Sequence, residues 1–274
     1  MEFKDKIIWI TGASSGIGEA LAIAFAAQGA HIILSGRRTE ALEQVAAGIE
    51  TDSLILPFET TDYDALPAKI EEALGWKGKV DILVNNAGIS QRSLALDTHP
   101  DVHHKIINID LLAPIWLTQL LLPHMIKAGG GHIIGISSVA GRVGVPLRTA
   151  YCAAKHGLIG YMDALRAESE AMHNIHVTNI LPGAIRTDVS RNALDKYGDR
   201  RGKSDAVIDN GIEPAECARQ ILEAVANKVP ELLIAEGVEE QIALLRQSDP
   251  DQCFAMTSAF GVQIGKKYQA GEID

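Results

Sequence analysis

The chain has 274 residues, 47% of them hydrophobic and 22% charged, with a formal net charge of −10. That length and composition fit one α/β domain over residues 1–274, and an acidic chain without a basic cluster excludes nucleic acid as the main partner, since neutralising phosphates takes Lys and Arg. Three scattered cysteines predict no disulfide framework, while the lack of a signal peptide and of an apolar run of membrane length predicts a soluble, cytoplasmic protein with no membrane partner.

Short apolar runs alternate with longer amphipathic ones. The first predicted strand, Lys6–Thr11, runs into TGASSGIG (Thr11–Gly18) and a helix over Gly16–Gln28. In that turn Gly12 permits the tight bend, Gly16 lets backbone approach a pyrophosphate, and Gly18 allows close helix packing. The helix N-terminus then presents unpaired N–H groups to phosphate. The second strand, His31–Ser35, is followed by Gly36, Arg37 and Arg38, where a site preferring NAD(H) would carry a carboxylate. A guanidinium binds a ribose 2′-phosphate bidentately, so these residues predict NADP(H). A helix over Arg38–Ile49, a strand over Ser53–Phe58 and a helix over Tyr63–Leu74 lead to a fourth strand, Val80–Val84. It ends in VNNAG, where Asn86 can bridge backbone groups and Ala87-Gly88 leaves room for a flat ligand.

A long helix is predicted over Asp101–Lys127. The next strand, His132–Ser137, ends in GISSVAG, with Ser138 at its carboxyl edge. The helix Thr149–Met172 opens with Tyr151 and Lys155, four residues apart and therefore on one face. The cation would make the phenol a workable acid or base near neutrality, and the Ser138 hydroxyl could fix a substrate carbonyl. A strand His176–Leu181, a helix Pro214–Asn227 and a strand Glu231–Ala235 complete the pattern. Strands without polar alternation are buried on both faces. Their alternation with helices implies a doubly wound, Rossmann-type three-layer sandwich around a parallel sheet of about seven strands, with ligands beyond the carboxyl ends. The polar, glycine-punctuated segment 183–211 is expected to be a substrate lid.

Other chemistries find no support. His99, His103 and His104 have no Cys or third spaced ligand, so they predict a helix-entry surface and no metal site. Ser137-Ser138 lacks the G-x-S-x-G elbow of a hydrolase nucleophile. Cys152 leaves its helix about 100° from Tyr151 and is expected to pack.

TGASSGIG, NNAG, ISS, YCAAK and LPGAIRT occur in this order. By these motifs and their spacing the chain closely resembles the short-chain dehydrogenases/reductases over nearly its whole length. Stretches such as NNAGISQRSLALDT look nearest to the 11β-hydroxysteroid dehydrogenase-like carbonyl reductases, without their N-terminal anchor. The resemblance implies that Ser138 orients a substrate oxygen, that Tyr151 donates its proton as hydride arrives from nicotinamide, and that Lys155 holds the nicotinamide ribose. It also implies dinucleotide contacts at Gly12, Ser14, Ser15, Ile17, Asn86, Pro182, Gly183, Ile185 and Thr187, with Glu59 where the family has an Asp near the adenine. The family's fourth catalytic residue, an Asn, is replaced by Asp110 in DLLAPIWLT. An Asp there could keep the backbone carbonyl that holds a relay water and set a carboxylate near Lys155. The expected reaction interconverts a ketone or aldehyde with an alcohol in a homodimer or homotetramer, with Ser90, Gln91, Val139, Val145 and the lid lining the substrate pocket. The alternative is a non-catalytic NADP(H)-binding regulator of the same fold. A nucleotide-sugar epimerase fits poorly, because those relatives are longer and space their glycines differently.

Overall fold

A computed structural model describes residues 2–273. The run IIWIT forms β1 (Ile7–Thr11) and is buried along its length. Because side chains alternate across a strand, Ile8 and Ile10 enter one core while Ile7 and Trp9 enter another. Both faces of the sheet therefore need helices. The first core is closed by α1 (Gly16–Ala27), α2 (Thr39–Ala47) and α8 (Pro214–Ala226), through Leu21, Phe25, Leu42 and Ile221. The second is closed by α3 (Leu66–Lys77), α5 (Ala113–Lys127) and α6 (Thr149–His173), through Ile70, Leu117, Leu121, Leu158 and Met162. Each such large side chain contributes about 1.5–3 kcal/mol on full burial.

The remaining strands are β2 (His31–Ser35), β3 (Ser53–Ile55), β4 (Ile82–Asn85), β5 (Gly131–Ile136), β6 (Ile175–Pro182) and β7 (Glu231–Ile234). The seven strands lie in the order β3-β2-β1-β4-β5-β6-β7, and every pairing is parallel. The predicted doubly wound architecture is therefore the observed one. Strand order reverses between β1 and β4, whose register sets Ile10 beside Val84. That reversal opens a crevice at the carboxyl edge, where such folds hold ligands.

Several expectations shift. β3 stops at Ile55 rather than Phe58, although Leu56 and Phe58 still donate to the carbonyls of Leu34 and Gly36, and Pro57 between them turns its nitrogen to the open edge of the sheet, where a missing N–H is tolerated. The helix expected over Asp101–Lys127 comes in three parts, α4 (Pro100–Ile107), a π-helical turn (Asn108–Leu112) and α5. The α-helical partner of the Asp110 carbonyl would be the N–H of residue 114, which is proline. The ladder instead slips by one residue, and Ala113 donates to Asn108. A one-turn helix, α7 (Ala206–Asp209), precedes α8, and two helices lie beyond the last predicted strand, α9 (Gly237–Ser248) and α10 (Pro250–Gln269). Their signal was present in Asp249-Pro250, where the Asp249 carboxylate accepts from the Gln252 N–H and Pro250 takes the first helical turn. By length and composition, Pro100–Lys127 is also apolar enough to cross a membrane, contrary to the sequence expectation. Its apolar side chains Leu117, Leu121 and Met125 are buried in the second core.

Candidate active site

Six segments meet at the crevice: the turn after β1, the ends of β2, β4 and β5, the start of α6, and the segment after β6. Together they line a cleft of about 590 Å³. Its floor is glycine. Gly12 has φ +66°, and a Cβ there would lie 2.9 Å from the Ala87 Cα. Gly18 has an ordinary φ, but a Cβ would overlap the Gly12 carbonyl oxygen. Gly18, expected both to allow close helix packing and to stand among the cofactor residues, packs beneath the floor and does not line the cleft. Asn86 ties this floor to β4, its side-chain amide donating to the carbonyls of Thr11 (2.9 Å) and Gly12 (3.2 Å). The Thr11 hydroxyl accepts from the N–H groups of Asn86 and Ala87.

Ser15 begins α1 without capping it; its hydroxyl accepts from Arg38 at 3.2 Å instead. Arg38 also reaches the Ser14 carbonyl and hydroxyl. Arg37 lies 3.4 Å from Glu59 in an exposed pair. Ser14, Ser15, Gly16, Ile17, Arg37, Arg38, Glu59, Asn86, Ala87 and Gly88 all line the cleft, as do Pro182, Gly183, Ile185 and Thr187 across from them.

The reacting end is built on α6. Tyr151 and Lys155 share one face of it, and the Lys155 Nζ lies 5.5 Å from the Tyr151 ring centroid. Lys155 is only 4% exposed, held by the Ile136 carbonyl at 3.0 Å and the Asp110 carboxylate at 3.3 Å. An ammonium has three donors, and only the one on the Ile136 carbonyl is taken by a hydrogen bond, so Lys155 keeps donor capacity for the cleft. Ser137 fastens the helix from below, its hydroxyl donating to the Lys155 carbonyl. Ser138, at the end of β5, lines the cleft with its hydroxyl 3.3 Å from the Pro182 carbonyl.

Asp110 is fully buried. One of its oxygens accepts from the Ile89 N–H at 2.9 Å; the other faces Lys155 without an aligned hydrogen bond. Burial pushes the Asp110 carboxyl up, opposed by the Lys155 charge and the Ile89 N–H. Burial also works against the Lys155 ammonium, but Asp110, with Tyr151 adding to it, holds that pKa above the ordinary lysine value. Gly88 gives the pair room, since a Cβ there would sit 3.1 Å from Asp110 and 3.3 Å from Lys155.

Not every expected pocket residue faces the cleft. Gln91 is buried, accepting from the Ala150 N–H that opens α6 and donating toward Ser93 and Thr98. Ser90 is buried against Arg92. Val139 and Val145 lie outside the lining, and Cys152 packs as expected. His99 caps α4, accepting from the Asp101 N–H, and no group of metal-ligating side chains occurs among the described residues.

Two contributors escaped the sequence reading. Glu239 on α9 accepts from the Ala184 N–H at 2.6 Å and fixes the backbone leaving β6. Arg92 is buried and donates twice to Asp205, which also binds Ser190 and Arg201. These groups pin the segment 183–211 to the loop after β4, and Leu194 joins a small apolar cluster with Val102, Ile106, Ala150 and Ala154. Burial would raise the Asp205 pKa, but Arg92 and its hydrogen-bonding neighbours hold it well below the usual carboxylate range.

The fold and cleft define a doubly wound α/β protein with a Ser–Tyr–Lys constellation at its topological switch point. Residues 6–198 match the family model described as short chain dehydrogenase. A bovine protein, dehydrogenase/reductase SDR family member 7B, is 37% identical over 93% of this chain and 81% of its own. The human SDR family member 7 is 35% identical over 98% and 82%. A short-chain dehydrogenase from Streptomyces avermitilis of solved structure superposes with a TM-score of 0.77 at 28% identity, covering 97% of this chain and 98% of that one. The chain belongs to the short-chain dehydrogenase family, and is an oxidoreductase acting on CH–OH groups.

Proposed function

We propose that the chain interconverts a ketone or aldehyde with its alcohol and uses NADP(H) in preference to NAD(H). The observation that carries the reading is the locked Lys155, aimed with Tyr151 from one face of α6 into a glycine-floored cleft. A floor where Cβ atoms would collide, beside an uncapped helix N-terminus, fits a pyrophosphate lying on backbone. Gly12, Ser14, Ser15, Gly16 and Ile17 would hold it, and Lys155 would hold the nicotinamide ribose. Arg37 and Arg38, with Gly36 before them and no carboxylate on that strand end, favour a 2′-phosphate. The bound nicotinamide supplies or accepts the hydride.

Ser138 orients the substrate oxygen. Tyr151 gives its proton to that oxygen in reduction and takes it back in oxidation. The Lys155 charge stabilises the negative charge left on the phenol oxygen. The 183–211 segment serves as the lid over the substrate.

Steady-state assays against a carbonyl library, with NADPH and NADH side by side, test this. Wild type should turn over with NADPH. Tyr151→Phe should lose at least about 100-fold in kcat, while NADPH binding by fluorescence titration stays within about threefold, under ~0.7 kcal/mol. A wild type that binds NADPH but reduces nothing would favour the non-catalytic regulator. A tenfold preference for NADH would refute the role given to the arginines.

A further inference from the structure

The cleft is basic in an acidic chain. Arg37, Arg38, Lys105, Lys155 and Arg200 line it, against Glu59, Asp110 and Asp188, although the chain as a whole carries −10. Each of these carboxylates already has a cation: Glu59 faces Arg37 at 3.4 Å, Asp110 faces Lys155 at 3.3 Å, and Asp188 faces Arg191 at 3.4 Å. Arg38 is spent on Ser14 and Ser15 at the dinucleotide end. Lys105 and Arg200 are left over, with no carboxylate among the described residues within ion-pair distance of either.

Both stand far along the fold from Arg37 and Arg38. Lys105 is on α4 beside Ile106, whose apolar cluster includes Leu194 and touches Tyr151. Arg200 bridges Leu194 in the 183–211 segment, and Gly198 near it approaches Val102 of α4. Both cations are exposed and line the cleft, one on α4 and one on the segment whose Gly198 approaches α4. The lining nearest to Arg200 in the chain mixes apolar Val189 and Leu194 with Asp188 and Asn192, and Ile89 adds apolar surface. A cleft wall that carries two cations without paired carboxylates attracts an anion.

Building on the oxidoreductase reading, we propose that the substrate is an oxo acid or hydroxy acid. Its apolar stem lies along Ile89, Val189 and Leu194, and its carboxylate lies between Lys105 and Arg200. The guanidinium offers a fork to that carboxylate and the ammonium a point charge. The carboxylate takes no part in the redox step. In reduction the carbonyl carbon gains the hydride, its oxygen gains the Tyr151 proton, and the acid group leaves unchanged.

The test is a matched series at one chain length, an oxo acid, its methyl ester and the corresponding neutral ketone, assayed with NADPH at low and high salt. The acid should exceed the ester in kcat/KM by at least tenfold, and salt should narrow the gap. Lys105→Met and Arg200→Gln should each weaken the acid at least fivefold more than the ester, chiefly through KM, with partial rescue by Arg200→Lys. An ester or ketone preferred over the acid, or equal losses on acid and ester, would overturn the proposal. Calorimetric binding of octanoate against octanol to the enzyme–NADPH complex reads the same subsite without turnover. If no carbonyl reacts, the oxidoreductase reading fails, yet octanoate binding that depends on Lys105 and Arg200 would still uphold the anion subsite. Octanoate binding no tighter than octanol would sink it whatever the turnover.

Discussion

Asp110 replaces the amide that the motif resemblance led one to expect, and its surroundings say what the exchange does. Its carboxylate is the counter-ion of a buried ammonium, while its other oxygen holds the Ile89 N–H. An Asn could keep the Ile89 contact but would remove the charge that offsets burial of Lys155. Asp110→Asn should keep activity at neutral pH within about tenfold, under ~1.4 kcal/mol. Because Asp110 holds the lysine pKa above its ordinary value, its loss should move the basic limb of the kcat/KM–pH profile to lower pH. An unmoved limb would show that the carboxylate does not set the lysine charge. Asp110→Leu, which strands the ammonium, should cost about 3 kcal/mol or more in urea-induced unfolding. The motif resemblance placed Asp110 near Lys155; it could not show that the helix slips at that residue, ahead of Pro114.

Among the elements, the strand ends and the head of α6 were legible in the sequence, because each is a local pattern with one chemical meaning. The 183–211 segment was not. Its polar, glycine-rich composition reads as a lid, but gives no sign that Ser190, Ala193 and Leu194 are buried or that Asp205 gathers Arg92, Ser190 and Arg201. Arg92 and Asp205 are separated by 113 positions, so no local pattern announces their pairing. Removing the carboxylate leaves Arg92 buried without its main partner. Asp205→Asn should speed amide exchange across 187–205 relative to the sheet and raise KM. Since the folded-state pKa of Asp205 is depressed, its stabilisation is complete above the unfolded value near pH 4 and fades as the pH falls through the lower folded value. Urea stabilities of wild type and variant should accordingly converge below about pH 4. The same blindness to distant contacts hid Glu239, whose helix α9 carries no motif but fixes the backbone at Ala184.

For the whole molecule, one buried imidazole couples the sheet to pH. His132 on β5 is bonded to the Thr178 hydroxyl at 2.8 Å, and that hydroxyl donates to the Val229 carbonyl. Burial, then the nearby His176 and Lys228, depress its pKa to about 3. The folded state therefore refuses a proton that the unfolded chain accepts at about 6.5. Stability should be full above that value and fall as the pH drops toward 3, by at most about 1.4 kcal/mol per unit. Replacing His132 with Asn should lower stability at neutral pH but flatten the decline between pH 6 and 4, which urea titrations at stepped pH would detect. An equally steep decline in the variant would assign the acid sensitivity elsewhere.

The slipped turn at 108–112 holds one residue more than an α-helical turn needs. Excising a single residue there, Asp110 apart, would close the ladder to i→i+4 and leave the upstream helix near its present rotation. The same cut inside α5 would turn everything upstream by about 100° and draw it along by about 1.5 Å, swinging Val102 and Ile106 off Ala154 and Leu194. Libraries of one-codon deletions should therefore retain more soluble clones at 108–112 than across 115–125. Reading frames of this kind, counted in residues instead of chemistry, constrain how such chains can be shortened.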